Sequence, residues 1–328
     1  MKKIVLLGGS FNPVHYGHIN MLKKAIKQLN ADQGWFLVAN QAPLKTEYSV
    51  SFNQRCKWIK YIIKGFKKLK VCEIEKQLPV PNYTYNTIKA LKHKYPNYKF
   101  IFLIGSDQAK NINNWYNIES LYNLVDFVVY SRDQEIVSGF DYILGNDMNI
   151  SSSEIRCGLK FLTHPKILSE IIEYGYYASE RLANVSIKRK EHIFSVANFI
   201  LSLSPHNYDY ILRKKLYGLA ISHDQYKEDM SLDDLSDFEK KSPLYLHHAF
   251  KIRNVAAKKY YVKNKKFLNS LAYHVCGNSL NQMAMLLFVA DKLEPLRQYD
   301  TARLLYLVKN NLYYGFIKTR EESLKYNG

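Results

Sequence analysis

Residues Ile4 to His18 read IVLLGGSFNPVHYGH, an apolar run followed by two glycines, a proline and two histidines three positions apart. The run Ile4–Leu7 is predicted as the first strand of a sheet, and apolar residues at helical spacing resume at Ile19. The glycines thus stand where α/β folds bind ligands, because bare backbone admits a phosphate and the following helix begins with unpaired amides. His15 adds a further side-chain donor beside His18. The stretch predicts an anion site; the alternative is a tight turn with two surface histidines.

Around this stretch, short apolar runs alternate with amphipathic stretches, which is typical of a parallel sheet covered by helices. The predicted strands are Ile4–Leu7, Gly34–Val38, Lys70–Cys72, Phe100–Ile104, Phe127–Tyr130 and Tyr142–Leu144. The predicted helices between them are Ile19–Leu29, Phe52–Phe66, Tyr85–Lys94 and Ser153–Phe161. The fold class predicted for this half is therefore α/β, with a Rossmann-like parallel sheet and helices on both of its faces.

The alternation stops after SERLANVS (Ser179–Ser186), and from Lys190 onward nearly every segment has helical spacing. The predicted helices are Glu191–Leu203, Tyr210–Ile221, Leu244–Tyr260, Lys265–His274, Leu280–Lys292 and Ala302–Tyr313. We therefore predict an α/β domain over residues 1–180 and an all-α domain over residues 186–328.

Charge and composition narrow the range of partners. Lys+Arg 47 against Asp+Glu 29 gives a net charge of +18, which points to acidic ligands. Most of this excess is scattered lysine, and neither arginine clusters nor an aromatic RNA-binding signature appears, so nucleic acid is not expected. The four cysteines have no metal-type spacing, which favours a reducing compartment. The apolar runs fall well short of the ~18 residues that a membrane helix needs, and the start resembles no signal peptide. The prediction is a cytoplasmic protein without membrane contact.

Four stretches of the first half share one resemblance. The stretches are GGSFNPVHYGH (Gly8–His18), PNYTYNTIKAL (Pro81–Leu91), IFLIGSDQAKNINNWYNIESLYNLVDFVV (Ile101–Val129) and ISSSEIR (Ile150–Arg156). The first resembles the GGxFDPxHxGH signature of the nucleotidyltransferase superfamily, and the other three resemble motifs of its nicotinate mononucleotide adenylyltransferases. The resemblance covers about the first 178 residues.

The resemblance implies that the 5′-phosphate of nicotinate mononucleotide attacks the α-phosphorus of ATP, and that Mg²⁺ leaves with pyrophosphate. No covalent enzyme intermediate is implied, so position and charge stabilisation supply the catalysis. The implied catalytic residues are His15, His18 and Arg156. The implied ATP and phosphate contacts are Gly8, Gly9, Ser10, Phe11, Lys45, Gly105, Asp107, Ser152 and Ser153. The implied contacts to the nicotinate nucleotide are Thr84, Trp115 and Tyr116.

Several alternatives stay open for this half. Relatives with the same opening signature transfer adenylyl or cytidylyl groups to other phosphorylated acceptors, and the amide mononucleotide competes with the acid. Asn12 stands where the family usually has Asp, which puts in doubt any role of that carboxylate. Trp115 could belong to the core, and Ser152 with Ser153 could serve as helix caps.

Five of the ten histidines of the chain lie in helical segments of the second half: His192, His223, His247, His248 and His274. A single helical histidine is usually a surface or core residue. An adjacent His223–Asp224 pair, followed by further histidines and by Asp291 on a helix, instead favours a metal site, since imidazoles and carboxylates suit divalent transition metals.

This order resembles the HD hydrolase superfamily, and AYHVCGNSLNQMAMLLFVADKLEPLR (Ala272–Arg297) is similar to a bacterial HD family that splits diadenosine tetraphosphate symmetrically. The resemblance implies one or two divalent transition metals (Fe, Mn, Co or similar) and dinucleoside polyphosphates as substrates. The implied metal ligands are His192, His223, Asp224, His248, His274 and Asp291, with Asp224 bridging and His247 the rival of His248. Lys227 and Arg297 are implied to bind substrate phosphates, although HDQYK departs from the family's HDYAK. The alternative is a non-catalytic HD module that senses a nucleotide or forms a homodimer.

Overall fold

The computed structural model describes residues 1–41, 49–131, 136–145, 148–297 and 300–326. The chain forms two compact units, Met1–His164 and Pro165–Gly328. The border predicted at 180–186 lies later than this division, because the residues between the two positions are already helical. One of these helices covers Ala178–Arg181. Its Arg181 guanidinium donates to Ser222 Oγ at 2.9 Å, which ties the helix to the rest of the helical unit.

The first unit holds one six-stranded sheet and six helices among its described residues. Its strands are β1 (Lys2–Gly9), β2 (Gln33–Val38), β3 (Leu69–Cys72), β4 (Tyr98–Gly105), β5 (Asp126–Ser131) and β6 (Asp141–Leu144). Its helices are α1 (Tyr16–Gln28), α2 (Phe52–Ile62), α3 (Thr84–Lys94), α4 (Ser106–Lys110), α5 (Ile118–Tyr122) and α6 (Ser152–Arg156). Short 3-10 turns lie at Ile74–Gln77 and Ile112–Asn114.

The strand order is β3-β2-β1-β4-β5-β6 with every neighbouring pair parallel, which confirms the Rossmann-like α/β prediction. The middle of each central strand is a buried apolar run, as expected for a sheet covered on both faces. Ile4 pairs with Phe100 and Leu6 with Phe102, so the core forms around β1 and β4. The strand order reverses between these two strands.

Two predicted helices of this unit are shorter than the sequence pattern indicated. The helix expected over Phe52–Phe66 ends at Ile62, since Gly65 adopts a left-handed backbone with φ 93° that turns the chain toward β3. The helix expected over Ser153–Phe161 is the single turn α6, which ends before Gly158 at φ 71°.

Every α-helix or strand assigned among the described residues of the second unit is a helix. Its helices are α7 (Pro165–Glu173), α8 (Ala178–Arg181), α9 (Ile187–Leu203), α10 (Tyr210–Ser222), α11 (Asp237–Lys240), α12 (His247–Lys258), α13 (Lys265–Tyr273), α14 (Gln282–Leu293), α15 (Ala302–Asn310) and α16 (Leu312–Tyr326). The most buried helix is α14, which is apolar on all sides and packs with α9, α13 and α16. Within the described ranges, no helix combines the length and apolar character that crossing a membrane demands.

Candidate active sites

The first candidate site lies where the strand order reverses, at the carboxyl ends of β1 and β4. In open parallel sheets a crevice forms at this point because the two connecting chains leave toward opposite faces. Gly8 and Gly9 end β1, and Gly105 ends β4. A Cβ atom at Gly8 would stand 2.8 Å from Cζ of Phe102, so this position needs glycine for packing as well. The structure thus brings three of the expected glycines to one edge of the sheet.

The loop after β1 leads the two histidines into α1. Phe11 has φ 47° and a buried ring that packs edge-on against His18, with ring centroids 5.1 Å apart. The backbone N–H of His15 donates to Nδ1 of His18 at 3.2 Å. This bond makes Nδ1 the acceptor and leaves Nε2 of His18 as the N–H donor. The His15 ring lies against that of His18, with centroids 3.7 Å apart.

Side chains from two distant elements hold this loop by its carbonyl groups. Ser152 of α6 donates its hydroxyl to Pro13 O at 2.8 Å, and Arg156 donates Nη1 to Asn12 O at 2.9 Å. Buried Arg55 of α2 donates Nη1 to Ser10 O at 2.6 Å. The second nitrogen of Arg156 donates to Ser153 Oγ at 3.1 Å. The expected residues of α6 are therefore placed beside the loop, and Arg55 is a supporting residue that no motif signalled.

The residues expected to contact the nicotinate nucleotide come from α3 and the segment before α5. Thr84 is the first residue of α3, and the neighbouring Tyr83 ring lies 4.6 Å from the ring of Tyr116. Tyr116 is 54 % exposed. The half-buried ring of Trp115 packs edge-on against Phe102 and against Phe127 of β5. Asp107 lies exposed at the start of α4, and Lys45 lies outside the described residues.

Glu75 is a buried carboxylate in this unit that the sequence reasoning missed. Its Oε2 accepts from Asn40 N at 3.1 Å, just after β2, and its Oε1 accepts from Thr87 Oγ1 at 3.0 Å, in α3. Burial raises the pKa of Glu75, while these two hydrogen bonds act in the opposite direction. Glu75 therefore joins the end of β2 to the first turns of α3.

The second candidate site is a buried cluster of histidines and aspartates in the helical unit. Two groups of metal-ligand type share Asp224, and within each group the ligand atoms lie within 4.8 Å of one another. The Oδ1 atom of Asp224 is 3.2 Å from His248 Nε2 and 3.4 Å from His274 Nε2. Its Oδ2 atom is 3.8 Å from the Nε2 atoms of both His192 and His223. Each carboxylate oxygen thus faces a different pair of imidazoles.

Asp291 of α14 completes the first group, since its Oδ1 lies 3.1 Å from His192 Nε2 and 3.9 Å from His223 Nε2. Of the two neighbouring histidines, His248 lies beside Asp224, with Nε2 3.2 Å from Oδ1. His247 faces away, with Nε2 3.0 Å from Ser242 O.

The donor set fits divalent transition metals. His223 and His274 place Nδ1 2.6 Å and 2.8 Å from backbone carbonyls, so both can present Nε2 lone pairs to the cluster. His223 Nε2 is fully buried and has no hydrogen-bond partner among the described residues. Burial lowers the pKa of His223 to about 4 and that of His248 to about 4, which keeps both rings neutral at pH 7. Burial opposes ionisation of Asp224, yet His223 and the bonds from His248 and His274 hold its pKa well below the usual range.

Basic side chains surround the two aspartates. Arg189 Nη1 lies 2.7 Å from Asp224 Oδ2, and Lys292 Nζ lies 2.8 Å from Asp291 Oδ2. Arg297, expected to bind phosphate, donates to the Asp291 backbone carbonyl at 2.7 Å and to Oδ1 at 3.0 Å. Lys227 Nζ lies 3.2 Å from His248 Nε2. The expected phosphate-binding residues are therefore at the cluster, and Arg189 is an additional cation there.

Glu294 is a second residue at this site that the sequence reasoning missed. It is 2 % exposed, and its Oε1 lies 3.1 Å from Nδ1 of His192. Its Oε2 accepts from Ser195 Oγ at 2.6 Å and from Leu296 N at 2.7 Å. A carboxylate behind a metal-facing imidazole fixes the tautomer and orientation of the ring. The EPLR end of the helical motif contained this residue, but the sequence alone assigned it no partner.

The similarity of the first unit to known proteins defines its protein class. A family model described as Cytidylyltransferase-like matches residues 6–158, which include all six strands from Leu6 onward. The first unit is therefore a nucleotidyltransferase domain. A "Probable nicotinate-nucleotide adenylyltransferase" of Nitratiruptor is 32% identical over 170 residues, covering 52% of this chain and 96% of the relative. The chain belongs to the nicotinate-nucleotide adenylyltransferase family.

A second relative matches along both units. The "Probable nicotinate-nucleotide adenylyltransferase/Ap4A hydrolase" of Mycoplasma pneumoniae is 27% identical over 313 residues, covering 90% of each chain. Among solved structures, the Plasmodium falciparum nicotinic acid mononucleotide adenylyltransferase complexed with NaAD aligns with a TM-score of 0.48 at 26% identity. It covers 54% of this chain and 98% of that one.

Proposed function

We propose that the first unit transfers the adenylyl group of ATP to nicotinate mononucleotide. The observation that carries this proposal is the loop between β1 and α1, which places the His18 ring against the His15 ring at the point where the strand order reverses. Family membership supports the acceptor. Other phosphorylated acceptors, including the amide mononucleotide, are outcomes that the experiment below distinguishes.

In this reaction a phosphate oxygen of the mononucleotide forms a bond to the α-phosphorus of ATP, and the bond from that phosphorus to the bridging oxygen breaks. Mg²⁺ would neutralise charge on the departing pyrophosphate. We infer that His18 would donate from Nε2 to the α-phosphoryl oxygens, where negative charge grows. Arg156 holds the loop through its hydrogen bond to Asn12 O. Its guanidinium charge would also attract the β- and γ-phosphates of ATP.

Pyrophosphate release from ATP, Mg²⁺ and nicotinate mononucleotide tests this proposal with the full-length protein. We expect His18→Ala to lower kcat by about 100-fold or more, the usual cost of removing one stabilising donor. Exposed His93 of α3 supplies the matched control, and His93→Ala should keep wild-type turnover. Turnover with phosphopantetheine or glycerol phosphate, but not with the mononucleotide, would contradict the assignment of the acceptor.

We further propose that the second unit is a metal-dependent phosphohydrolase of the HD type that cleaves dinucleoside polyphosphates. Asp224 supports this most directly, because its two oxygens face two separate imidazole pairs. His192, His223, Asp224 and Asp291 would hold one metal, and Asp224, His248 and His274 the other. Two such metals supply a water nucleophile at neutral pH and neutralise phosphate charge.

The hydrolysis breaks a bond between a phosphorus and a bridging oxygen, and water adds its oxygen to that phosphorus. For diadenosine tetraphosphate cleaved symmetrically, the products are two molecules of ADP. Lys227 lies where it can bind a phosphate oxygen next to the second group of ligands. Arg297 holds the Asp291 carboxylate and its backbone carbonyl, so it acts here by orienting that ligand.

ADP formation from diadenosine tetraphosphate by the full-length protein, loaded with Mn²⁺, tests the second activity. Asp224→Ala should abolish it and should spare pyrophosphate release by the first unit. Asp237→Ala removes a carboxylate that is 95% exposed and is the matched control.

A second candidate function is a nucleotide-sensing module without catalysis. It is favoured by the cations Arg189 and Lys292, which neutralise both aspartates through contacts of 2.7 and 2.8 Å. That candidate predicts protein that stays metal-poor by elemental analysis and that binds nucleotide without forming ADP.

A further inference from the structure

A pocket of about 390 Å³ lies beside the histidine–aspartate cluster of the second unit. One side is formed by residues that follow the His223–Asp224 pair, among them Met230. The other side is formed by Leu244 and Tyr245, which precede α12. We call this cavity the Tyr245 pocket.

The walls of the Tyr245 pocket carry several large apolar side chains that are exposed to solvent. Met230 is 67%, Leu244 59% and Tyr245 62% exposed, and all three border the same cavity. Single exposed apolar side chains are common, whereas several around one cavity mark a binding surface. Tyr and Met are side chains that pack well against flat ring systems.

The floor of the pocket is shared with the cluster. Lys227 and His248 line the cavity, and His248 Nε2 is 3.2 Å from Asp224 Oδ1. Lys227 Nζ is 3.9 Å from the same oxygen. A ligand held between the apolar walls therefore extends directly toward a cationic and metal-ligating floor.

Both walls are held in place by contacts within the unit. Lys251 is 3% exposed, donates to Ser231 O at 3.1 Å and pairs with Asp229 Oδ2 at 2.7 Å. On the opposite side, Leu246 N donates to Pro243 O at 2.9 Å. A pocket whose walls are fixed before binding loses little entropy when a ligand enters.

We propose that the Tyr245 pocket binds one nucleobase of the substrate, stacked on Tyr245, while the attached phosphates lie over Lys227 and His248. The proposal rests on the phosphohydrolase function proposed above and adds a subsite for the base. A volume of about 390 Å³ is at the lower end of ligand pockets, which suits one nucleoside and not a whole dinucleotide. Apolar walls above a basic floor match the two ends of a nucleotide.

The test compares Tyr245→Ala and Tyr245→Phe in the Mn²⁺-loaded, full-length protein. The readouts are kcat/KM for hydrolysis of diadenosine tetraphosphate and the inhibition constants of ADP and inorganic pyrophosphate in that reaction. We expect Tyr245→Ala to lower kcat/KM and raise the ADP inhibition constant, each by about five- to a hundredfold, the usual range for one lost base stack. Pyrophosphate has no base, so its inhibition constant should change less than about twofold.

The Phe variant keeps the ring, so it should recover most of the ADP affinity that Tyr245→Ala loses, which separates loss of the ring from loss of the hydroxyl. Tyr306→Ala removes a tyrosine of α15 that is 69% exposed and is the control for loss of a surface ring. An unchanged ADP constant in Tyr245→Ala overturns the inference while the hydrolase function stands. Equal weakening of ADP and pyrophosphate also overturns it, since the ring would then support the phosphate floor. Absence of ADP formation by wild type rejects the hydrolase function, and the subsite with it.

Discussion

Glu294 is a buried residue that we expect to influence the metal affinity of the second site. Its two oxygens are both occupied, one by the His192 ring and the other by Ser195 and a backbone amide. An amide in its place must turn its NH₂ toward one of these donors, which leaves a buried donor without an acceptor.

We therefore expect Glu294→Gln to weaken metal binding by about 10- to 100-fold, the typical cost of losing such a partner. Competition with a chromogenic chelator measures this affinity without reference to activity. Glu191→Gln changes an exposed glutamate of α9 and should leave the affinity unaltered. Equal affinities for wild type and Glu294→Gln would show that His192 needs no support.

Glu75 makes the stability of the first unit depend on pH. Burial raises its pKa in the folded state, so the unfolded state releases the proton at lower pH than the folded state does. Stability from this group is therefore fully present below the ordinary carboxyl pKa and falls as pH rises through the folded value.

Glu75→Gln removes this dependence. Relative to the Gln variant, we expect wild type to lose free energy of unfolding as the pH rises above the ordinary carboxyl pKa of about 4.3. All three tryptophans, Trp35, Trp58 and Trp115, lie in the first unit, so urea unfolding followed by tryptophan fluorescence reports on this unit alone. A difference between the two proteins that grows with pH in favour of wild type would refute the assignment.

At the scale of elements, α6 matters because it anchors the loop that carries Asn12 and Pro13. Ser152→Ala removes the hydroxyl that donates to Pro13 O. We expect a loss of about 1 kcal/mol in free energy of unfolding. We also expect about a tenfold drop in kcat/KM for adenylyl transfer, because Arg156 shifts with the helix.

Urea unfolding by tryptophan fluorescence and pyrophosphate release give the two numbers. Ser120→Ala, in α5, is the control for removing a hydroxyl elsewhere in the same unit. If stability falls but kcat/KM does not, α6 supports the fold without positioning the site.

The strands were predictable from the sequence, whereas the helix ends were not. The four central strands β2, β1, β4 and β5 are dense apolar runs, because burial on both faces leaves few polar positions, whereas the edge strands β3 and β6 keep exposed residues. The predicted helix Ala302–Tyr313 is in fact two helices, α15 and α16, that divide at Asn311. Its continuation to Tyr326 depends on Phe316, which is fully buried against Phe288 at 5.4 Å between ring centroids. That contact between distant residues leaves no periodic signal in a mostly polar segment.

In the two candidate sites, too, local sequence patterns were predictable and contacts between distant residues were not. Residues that belong to a contiguous string, such as His15 with His18 or His223 with Asp224, could be predicted because the string itself suggests the chemistry. Arg55, Arg189 and Glu294 could not, since each acts through a partner from a distant segment. The choice between His247 and His248 likewise needed the direction in which each side chain leaves α12.

At the scale of the whole molecule, metal should stabilise one unit and not the other. The expected metal ligands all lie in Pro165–Gly328, whereas the tryptophans all lie in Met1–His164. We expect Mn²⁺ to raise the urea midpoint measured by helical circular dichroism, and a chelator to reverse the change. The tryptophan midpoint should stay constant. A tryptophan midpoint that moves together with the dichroism midpoint would show that the units unfold as one.

The position of β1 in the sheet has a consequence for synthesis. It lies between β2 and β4, and its register joins Lys2 to Tyr98, a separation of 98 − 2 = 96 residues. At about 5–20 residues per second, a ribosome needs roughly 5–20 s to deliver the second neighbour. During that interval one edge of a strongly apolar segment is bare, and we expect chaperones that recognise extended hydrophobic chain to bind it there.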